Sequence, residues 1–342
     1  MHQNGGNPDL YSSNEDANNE EHSLNIIKAD DSDGWNVGYA TKHYKHLKIA
    51  LIALIISVFV FGYFNITLSQ QVKSLELQVQ QTELKVQQTE LNLKQTESEL
   101  DYAKKPHPVL RETVQQTTIF SYQDVLDKIW HGQNPFKDFH YEESRLNLQG
   151  WNSDHPYLIE AIEEVKPNLV IEVGVWRGRS VVYQAKKMKA LGLNAVLIAV
   201  DTWLGSWENW NNPDEFVAVA IEQGYPTLYK TFMNNMIKDG LTDMVVPLPL
   251  DSLNARQLIT KANIVADVIH IDAQHNYVSV WKDLEEWWPV LRHGGVLVGD
   301  DCDNPDWPEV KKAFDDFFGA LGIQVEAHRL KCKVRKPALP PK

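Results

Sequence analysis

Apolar positions fall into three patterns along this chain, and each predicts a different kind of element. The first is an unbroken run, Ile49-Ala-Leu-Ile-Ala-Leu-Ile-Ile-Ser-Val-Phe-Val-Phe-Gly-Tyr-Phe64, which continues to Leu68 without a charge. Wound as a helix it would be roughly 30 Å long, enough to cross the hydrocarbon layer of a bilayer. It starts too late for a signal peptide and lacks a small-residue cleavage site, so a transmembrane helix over 49–68 is expected. The second pattern is a repeated seven-residue phrase: Val72, Val79, Val86 and Leu93 keep heptad spacing, with Leu75, Thr82, Thr89 and Thr96 at the partner positions. Threonine makes that seam weak, although Leu77, Leu84 and Leu91 add a second stripe. A coiled-coil-like stalk over 70–104, able to pair with a second copy, is expected, and Lys105-Pro-His-Pro108 ends it.

The third pattern fills residues 111–336. Short apolar runs at Val165–Val173, Ala195–Val200, Met244–Leu250, Val265–Ile271 and Gly294–Gly299 alternate with amphipathic stretches such as Trp281–Leu291. Buried parallel strands read this way, and the alternation predicts an α/β domain with a doubly wound, Rossmann-like sheet. Residues 337–342 read as a loose tail.

Charge changes the picture at the other end. Residues 1–41 carry Asp9, Glu15, Asp16, Glu20, Glu21, Asp30, Asp31 and Asp33 against Lys28 and no apolar periodicity, which predicts a disordered acidic tail. The whole chain has a formal net charge of −13, which argues against nucleic-acid binding. Lys42, Lys45 and Lys48 precede the apolar run and Lys73 alone follows closely, so the positive-inside rule leaves the N-terminus cytoplasmic. In a eukaryotic cell the C-terminal domain would then be lumenal, in a Golgi-like single-pass layout. The chain has only two cysteines, Cys302 and Cys332, which would form one bridge at most, and only in an oxidising compartment.

The candidate chemistry lies at the ends of the apolar runs. Ala266–Ile271 empties into Asp272-Ala-Gln-His275, and Gly294–Gly299 empties into Asp300-Asp301. In one parallel sheet these ends share the edge where such sheets bind ligands. Three carboxylates gathered there would repel one another unless a hard divalent cation shared them, and His275 would stand beside it as a base. Cys302 follows the pair, but oxygen ligands suit such an ion better than a thiolate. The first strand runs into Glu172-Val-Gly-Val-Trp-Arg-Gly-Arg-Ser180, where Gly174 and Gly178 permit a tight turn and close approach to a ligand. Trp176 takes the middle position of the dinucleotide fingerprint, which points to a cofactor without a pyrophosphate. Asp201, ending the second strand, could accept both hydroxyls of a ribose, and Asp251-Ser252 ends the third at adenine height. Trp203, Trp207 and Trp210 could stack on a sugar or pack as core and lid.

These residues resemble the class I S-adenosylmethionine-dependent methyltransferases, and most closely the metal-dependent O-methyltransferases of macrolide sugars (methyltransferase family 24-like). The likeness rests on Ile269-His-Ile-Asp-Ala-Gln-His-Asn-Tyr277, Asp283-Leu-Glu and Trp288-Pro-Val-Leu-Arg-His-Gly-Gly-Val-Leu-Val-Gly-Asp-Asp301, and spans roughly residues 151–318. It implies that Glu172, Gly174, Gly178 and Ser180 hold the amino-acid part of S-adenosylmethionine, Asp201 its ribose and Ser252 its adenine. It implies Mg²⁺ on Asp272, Asp300 and Asp301, His275 as catalytic base, and a small-molecule or glycan acceptor. The histidine three residues after the first Asp, where catechol-type relatives have lysine, suggests the sugar-modifying branch. Two other readings stand beside it: an oxygenase resembling the cephalosporin hydroxylases, and a membrane-tethered scaffold without activity.

Overall fold

Strands form where β-branched and aliphatic residues predominate, because a strand covered on both faces tolerates few polar side chains. The computed structural model describes residues 37–60, 66–103 and 119–338. Seven strands make one sheet: β1 (Leu169–Val173), β2 (Val196–Val200), β3 (Val245–Leu248), β4 (Ala266–Ile271), β5 (Leu291–Gly299), β6 (Glu326–His328) and β7 (Lys331–Arg335). Their order is β3-β2-β1-β4-β5-β7-β6. The first five are parallel, while β7 runs antiparallel between β5 and β6. This is a mixed, Rossmann-like sheet. Its winding reverses between β1 and β4, which opens a crevice at their carboxyl ends.

Helices cover both faces. On one side α3 (Tyr122–Trp130), α9 (Ser252–Lys261), α10 (Tyr277–Trp287) and α11 (Pro308–Ala320) pack on Ile171, Ile198, Ile269 and Leu297. On the other, α4 (Pro156–Val165), α5 (Arg179–Ala190) and α8 (Leu228–Lys238) pack on Val170, Leu197, Val268 and Val298. The alternate residues of each strand thus serve opposite cores. Local signals fix where the helices start: Ser121 and Asp124 close a capping box on α3, Asp251 caps α9 and Asn276 caps α10. Between β2 and α8 lie two short helices, α6 (Trp207–Asn211) and α7 (Pro213–Val219), and a hairpin of two-residue strands.

The five expected strands are present, with β5 starting at Leu291 rather than at Gly294. The antiparallel pair β6–β7 was not anticipated, because its segment is too charged to read as a buried strand. The Cys302–Cys332 bridge forms, with 5.5 Å between the Cα atoms, and ties the exit of β5 to the start of β7.

The chain divides into two units, residues 1–94 and 95–342. The first holds α1 (Val37–Val60) and, up to residue 94, α2 (Ile66–Ala103), and in it the Tyr44 hydroxyl donates a hydrogen bond to Glu83. The sequence predicts one membrane-crossing helix over 49–68, but α1 ends at Val60 and residues 61–65 lie outside the described residues. Among the described residues no helix is long and apolar enough to cross a membrane. The stalk expected over 70–104 falls on α2, whose Leu77, Leu84 and Leu91 are exposed. Of the expected acidic tail, residues 1–36 lie outside the described residues and 37–41 open α1.

Candidate active site

The half of the crevice beside β1 and β2 is built from a glycine loop. Gly174 and Gly178 have φ of 83° and 84°, in the left-handed region that penalises a side chain. A Cβ on Gly174 would overlap the Asp272 carbonyl, so the loop lies flat against the exit of β4. A Cβ on Gly178, which precedes α5, would run into Phe232 and Met236. Asp201 ties the loop to β2: its Oδ2 accepts from the backbone N–H groups of Val175 (2.7 Å) and Trp176 (2.8 Å), its Oδ1 from that of Trp203 (2.7 Å). Burial pushes this carboxyl up, and the three N–H donors offset only part of that. Of the four lone pairs of the carboxylate, three are engaged; one on Oδ1 remains for a ligand.

Glu172 and Ser180 are placed differently from a pair that faces open space. Glu172 is fully buried beneath the loop. It accepts hydrogen bonds from the Ser180 hydroxyl and from Gln184 Nε2 (2.5 Å), and His270 Nδ1 lies 3.4 Å away. Ser252 opens α9 at the end of β3, but its hydroxyl donates to Asp283 and accepts from Trp287 Nε1 (2.8 Å). Burial raises Asp283 to about 6.

The other half lies beyond β4 and β5. The Asp272 N–H bonds to the Val173 carbonyl (2.7 Å) and the Asp300 N–H to that of Ile271 (2.9 Å), which aligns the three strand exits. Asp272, His275, Asp300 and Asp301 border one pocket, with Val310 and Phe314 as its apolar wall. Asp272, His275 and Asp301 each offer a ligand atom, all within 4.8 Å of one another; so do His270, Asp272 and Asp300. Asp272 is common to both groups, whereas Asp300 and Asp301 separate. Asp300 Oδ2 pairs with Lys331 Nζ at 2.7 Å, and its Oδ1 accepts from Asn152 Nδ2 and the Asp301 N–H, both at 2.9 Å. Asp301 Oδ1 accepts from Asn304 Nδ2 (2.7 Å), and its Oδ2 lies 3.1 Å from His275 Nε2.

The charges of this half oppose one another. Burial, and then the neighbouring Asp300, hold the Asp272 carboxyl well above the usual carboxylate range. Burial would raise Asp300 too, but the Lys331 ammonium wins and lowers it. Burial would lower His275, yet its hydrogen bond to Asp301 and the nearby carboxylates raise it. The His275 ring stacks on Trp307 with centroids 4.6 Å apart. Its Nδ1, 3.8 Å from Glu208, has no hydrogen-bond partner. With Asp301 accepting at Nε2, the free lone pair falls on Nδ1. An Asp272 held above its normal range by burial and like charge is relieved by a cation, and with Asp301 it fits an oxygen-ligated one.

Several contributors went unseen in the sequence. Lys331 sits in Lys331-Cys-Lys-Val-Arg335, which reads as an exposed charged strand, and His270 looks like one polar residue inside an apolar run. Asn152, Glu208 and Trp307 are distant in sequence and belong to no spacing pattern. Of the three clustered tryptophans, Trp203 is core, packed on Tyr229 and Phe232, and Trp210 lies against Phe216. Trp207 is 62% accessible, next to Glu208, with no ring against it among the described residues.

Residues 171–302 match the family model described as "Methyltransferase domain". No curated protein matches the chain. Among solved structures, an O-methyltransferase from Bacillus cereus in complex with SAH is 13% identical, with 65% of this chain and 93% of that one covered and a TM-score of 0.39. CalS11, a TDP-rhamnose 3'-O-methyltransferase of calicheamicin biosynthesis, is 18% identical over 52% of this chain and 77% of its own, at a TM-score of 0.40. Cofactor-bound Rv0187 from MTB is 14% identical over 66% of this chain and all of its own (100%), at 0.41. Likenesses this distant say nothing of the acceptor. The matched segment holds the glycine loop, Asp201 and the strand-end acids, so the likeness to a methyltransferase domain covers both halves of the crevice.

Proposed function

We propose that the domain transfers the methyl group of S-adenosylmethionine to a hydroxyl oxygen of a sugar, glycan or glycosylated metabolite, with Mg²⁺ beside the reacting oxygen. The observation that carries this reading is the His275–Asp301 pair: an imidazole anchored at Nε2, unpartnered at Nδ1, on the pocket that Asp272 borders. A sugar hydroxyl is a poor nucleophile until it loses its proton. His275 Nδ1 takes that proton, the oxygen bonds to the methyl carbon, and the carbon–sulfur bond breaks with its electron pair passing to sulfur. Such assistance contributes roughly 10²–10⁴ in rate. Mg²⁺ prefers oxygen ligands, so Asp272 and Asp301 would hold it, and it would supply a lowered pKa for the acceptor hydroxyl. Gly174, Gly178, Asp201 and the start of α5 would hold the donor, with Glu172 and Ser180 supporting the loop from below and Ser252 beside the adenine. Exposed Trp207, one residue from Glu208, supports a sugar face stacked at the mouth.

An oxygenase centre of two histidines and a carboxylate would need His270 and His275 free on one side of Asp272. His270 is fully buried, and its Nε2 faces Lys331 Nζ at 3.1 Å, which disfavours that reading.

We further propose a single-pass anchor with the domain lumenal and the stalk self-associating. Support comes from exposed Ile49, Ile52 and Ile56 on α1, from the Leu77–Leu84–Leu91 stripe, and from a disulfide that suits an oxidising lumen.

The test is calorimetry of the full chain with S-adenosylmethionine, with and without Mg²⁺, followed by labelled-donor transfer to a glycan panel read by mass spectrometry. Donor binding together with a methylated hydroxyl is expected. His275→Ala should keep donor affinity and lose turnover by about a hundredfold or more. A chain that binds no donor, or turnover unchanged in that variant, refutes the assignment.

A further inference from the structure

Lysine is rarely buried without a specific partner. Lys331 is fully buried on β7, two strands from β4, and its ammonium lies 2.7 Å from Asp300 Oδ2 and 3.1 Å from His270 Nε2. Asn152 Nδ2 and the Asp301 N–H occupy the other oxygen of Asp300. The bridge holds this arrangement covalently, since Cys332 follows Lys331 and Cys302 follows Asp301. An ammonium and a divalent cation cannot both sit against one buried carboxylate without strong mutual repulsion.

We propose that Lys331 is a positioning residue, a built-in counter-charge that holds Asp300 out of the cation's ligand set and leaves Asp272 and Asp301 to bind it. The proposal deepens the acid–base pocket assigned above, and its test separates the two. The sequence pattern places all three aspartates on one ion; the geometry divides them into one carboxylate paired with a buried ammonium and two with no ammonium against them. Lys331 then sets how tightly the site holds a cation, by limiting the number of ligand charges. A lysine that merely fastened β7 to the sheet would leave cation affinity unchanged when a neutral side chain of similar length replaced it.

The probe is Mn²⁺ alone, titrated into the full chain and read as free ion by electron paramagnetic resonance. Lys331→Met should bind Mn²⁺ at least about tenfold tighter than the unaltered protein, because Asp300 is released into the pocket with its full charge. The double variant Lys331→Met with Asp300→Asn exchanges one neutral pair for another and should return affinity to within about threefold of the unaltered protein. Circular dichroism checks that each variant is folded; should Lys331→Met alone fail to fold, the double variant decides. The proposal is overturned if folded Lys331→Met binds no tighter, or if the double variant binds tenfold weaker, since Asp300 would then be a ligand already. Binding by Lys331→Met but not by the unaltered protein would sink Mg²⁺ use and leave the role of Lys331 standing.

Discussion

Burial pushes the His275 ring toward its neutral form, and Asp301 pulls it back toward the cation; Asp301 wins. The sign has a consequence. A raised pKa keeps the ring protonated above the ordinary histidine value of 6.5, and a protonated ring cannot accept a proton. In the cation-free protein, the His275 ring proton followed by NMR should titrate above 6.5, and Asp301→Asn should lower the midpoint, because burial then acts with one fewer carboxylate against it. A midpoint that ignores Asp301→Asn would mean that the 3.1 Å contact does not form in solution. Gly174 gives a second test at this scale. Alanine there meets both the left-handed φ and the Asp272 carbonyl, so Gly174→Ala should lose at least about 2 kcal/mol in urea unfolding and weaken donor binding. Asp272, His275, Asp300 and Asp301 could be read from the sequence because each follows a strand that announces itself. Lys331 could not, since its partners come from elements 31 and 61 residues away.

Among the elements, the parallel strands were legible because covering on both faces demands continuous apolar runs. Strands β6 and β7 obey a different rule. Lys331, Lys333 and Arg335 alternate with Cys332 and Val334, and the charges are paired with Asp300, Glu160 and Glu164. A pattern written for apolar burial passes over such a strand. Similar matching shapes α10, where Asp283 faces the Ser252 hydroxyl from a buried position. Its folded pKa of about 6 lies above the unfolded value near 3.8, so the folded state binds more protons between those limits. Stability from this group is therefore present at low pH and is lost as pH rises toward 6 and beyond. Asp283→Asn, which keeps the acceptor and removes the charge, should raise stability at pH 7 by up to about 3 kcal/mol and flatten the melting curve's dependence on pH between 4 and 6. An unchanged pH dependence would mean that Asp283 is solvated in the folded protein.

For the whole molecule, the informative link is between the bridge and the compartment. Cys302 and Cys332 lie 30 residues apart and are both fully buried. Closing a loop of that length removes unfolded-state entropy worth about 3–4 kcal/mol. The bond joins the two segments that carry Asp300–Asp301 and Lys331, so its loss loosens the pocket as well as the sheet. Such a bond persists where thiols are oxidised, as the lumenal placement proposed above requires. The anchor proposed above would use the apolar run from Ile49, of which residues 49–60 lie in α1. Both halves of the idea can be tested in cells that secrete proteins. The full chain should stay with membranes after alkaline carbonate extraction, and its two thiols should resist alkylation until denaturant and reductant are added together. Replacing both cysteines with alanine should lower unfolding free energy by about 3 kcal/mol and release the pocket geometry, so cation binding changes along with stability. Free thiols in an otherwise folded, membrane-bound chain would place the domain on the reducing side. The methyl donor would then be met in the cytoplasm, and the orientation inferred from Lys42, Lys45 and Lys48 would be reversed.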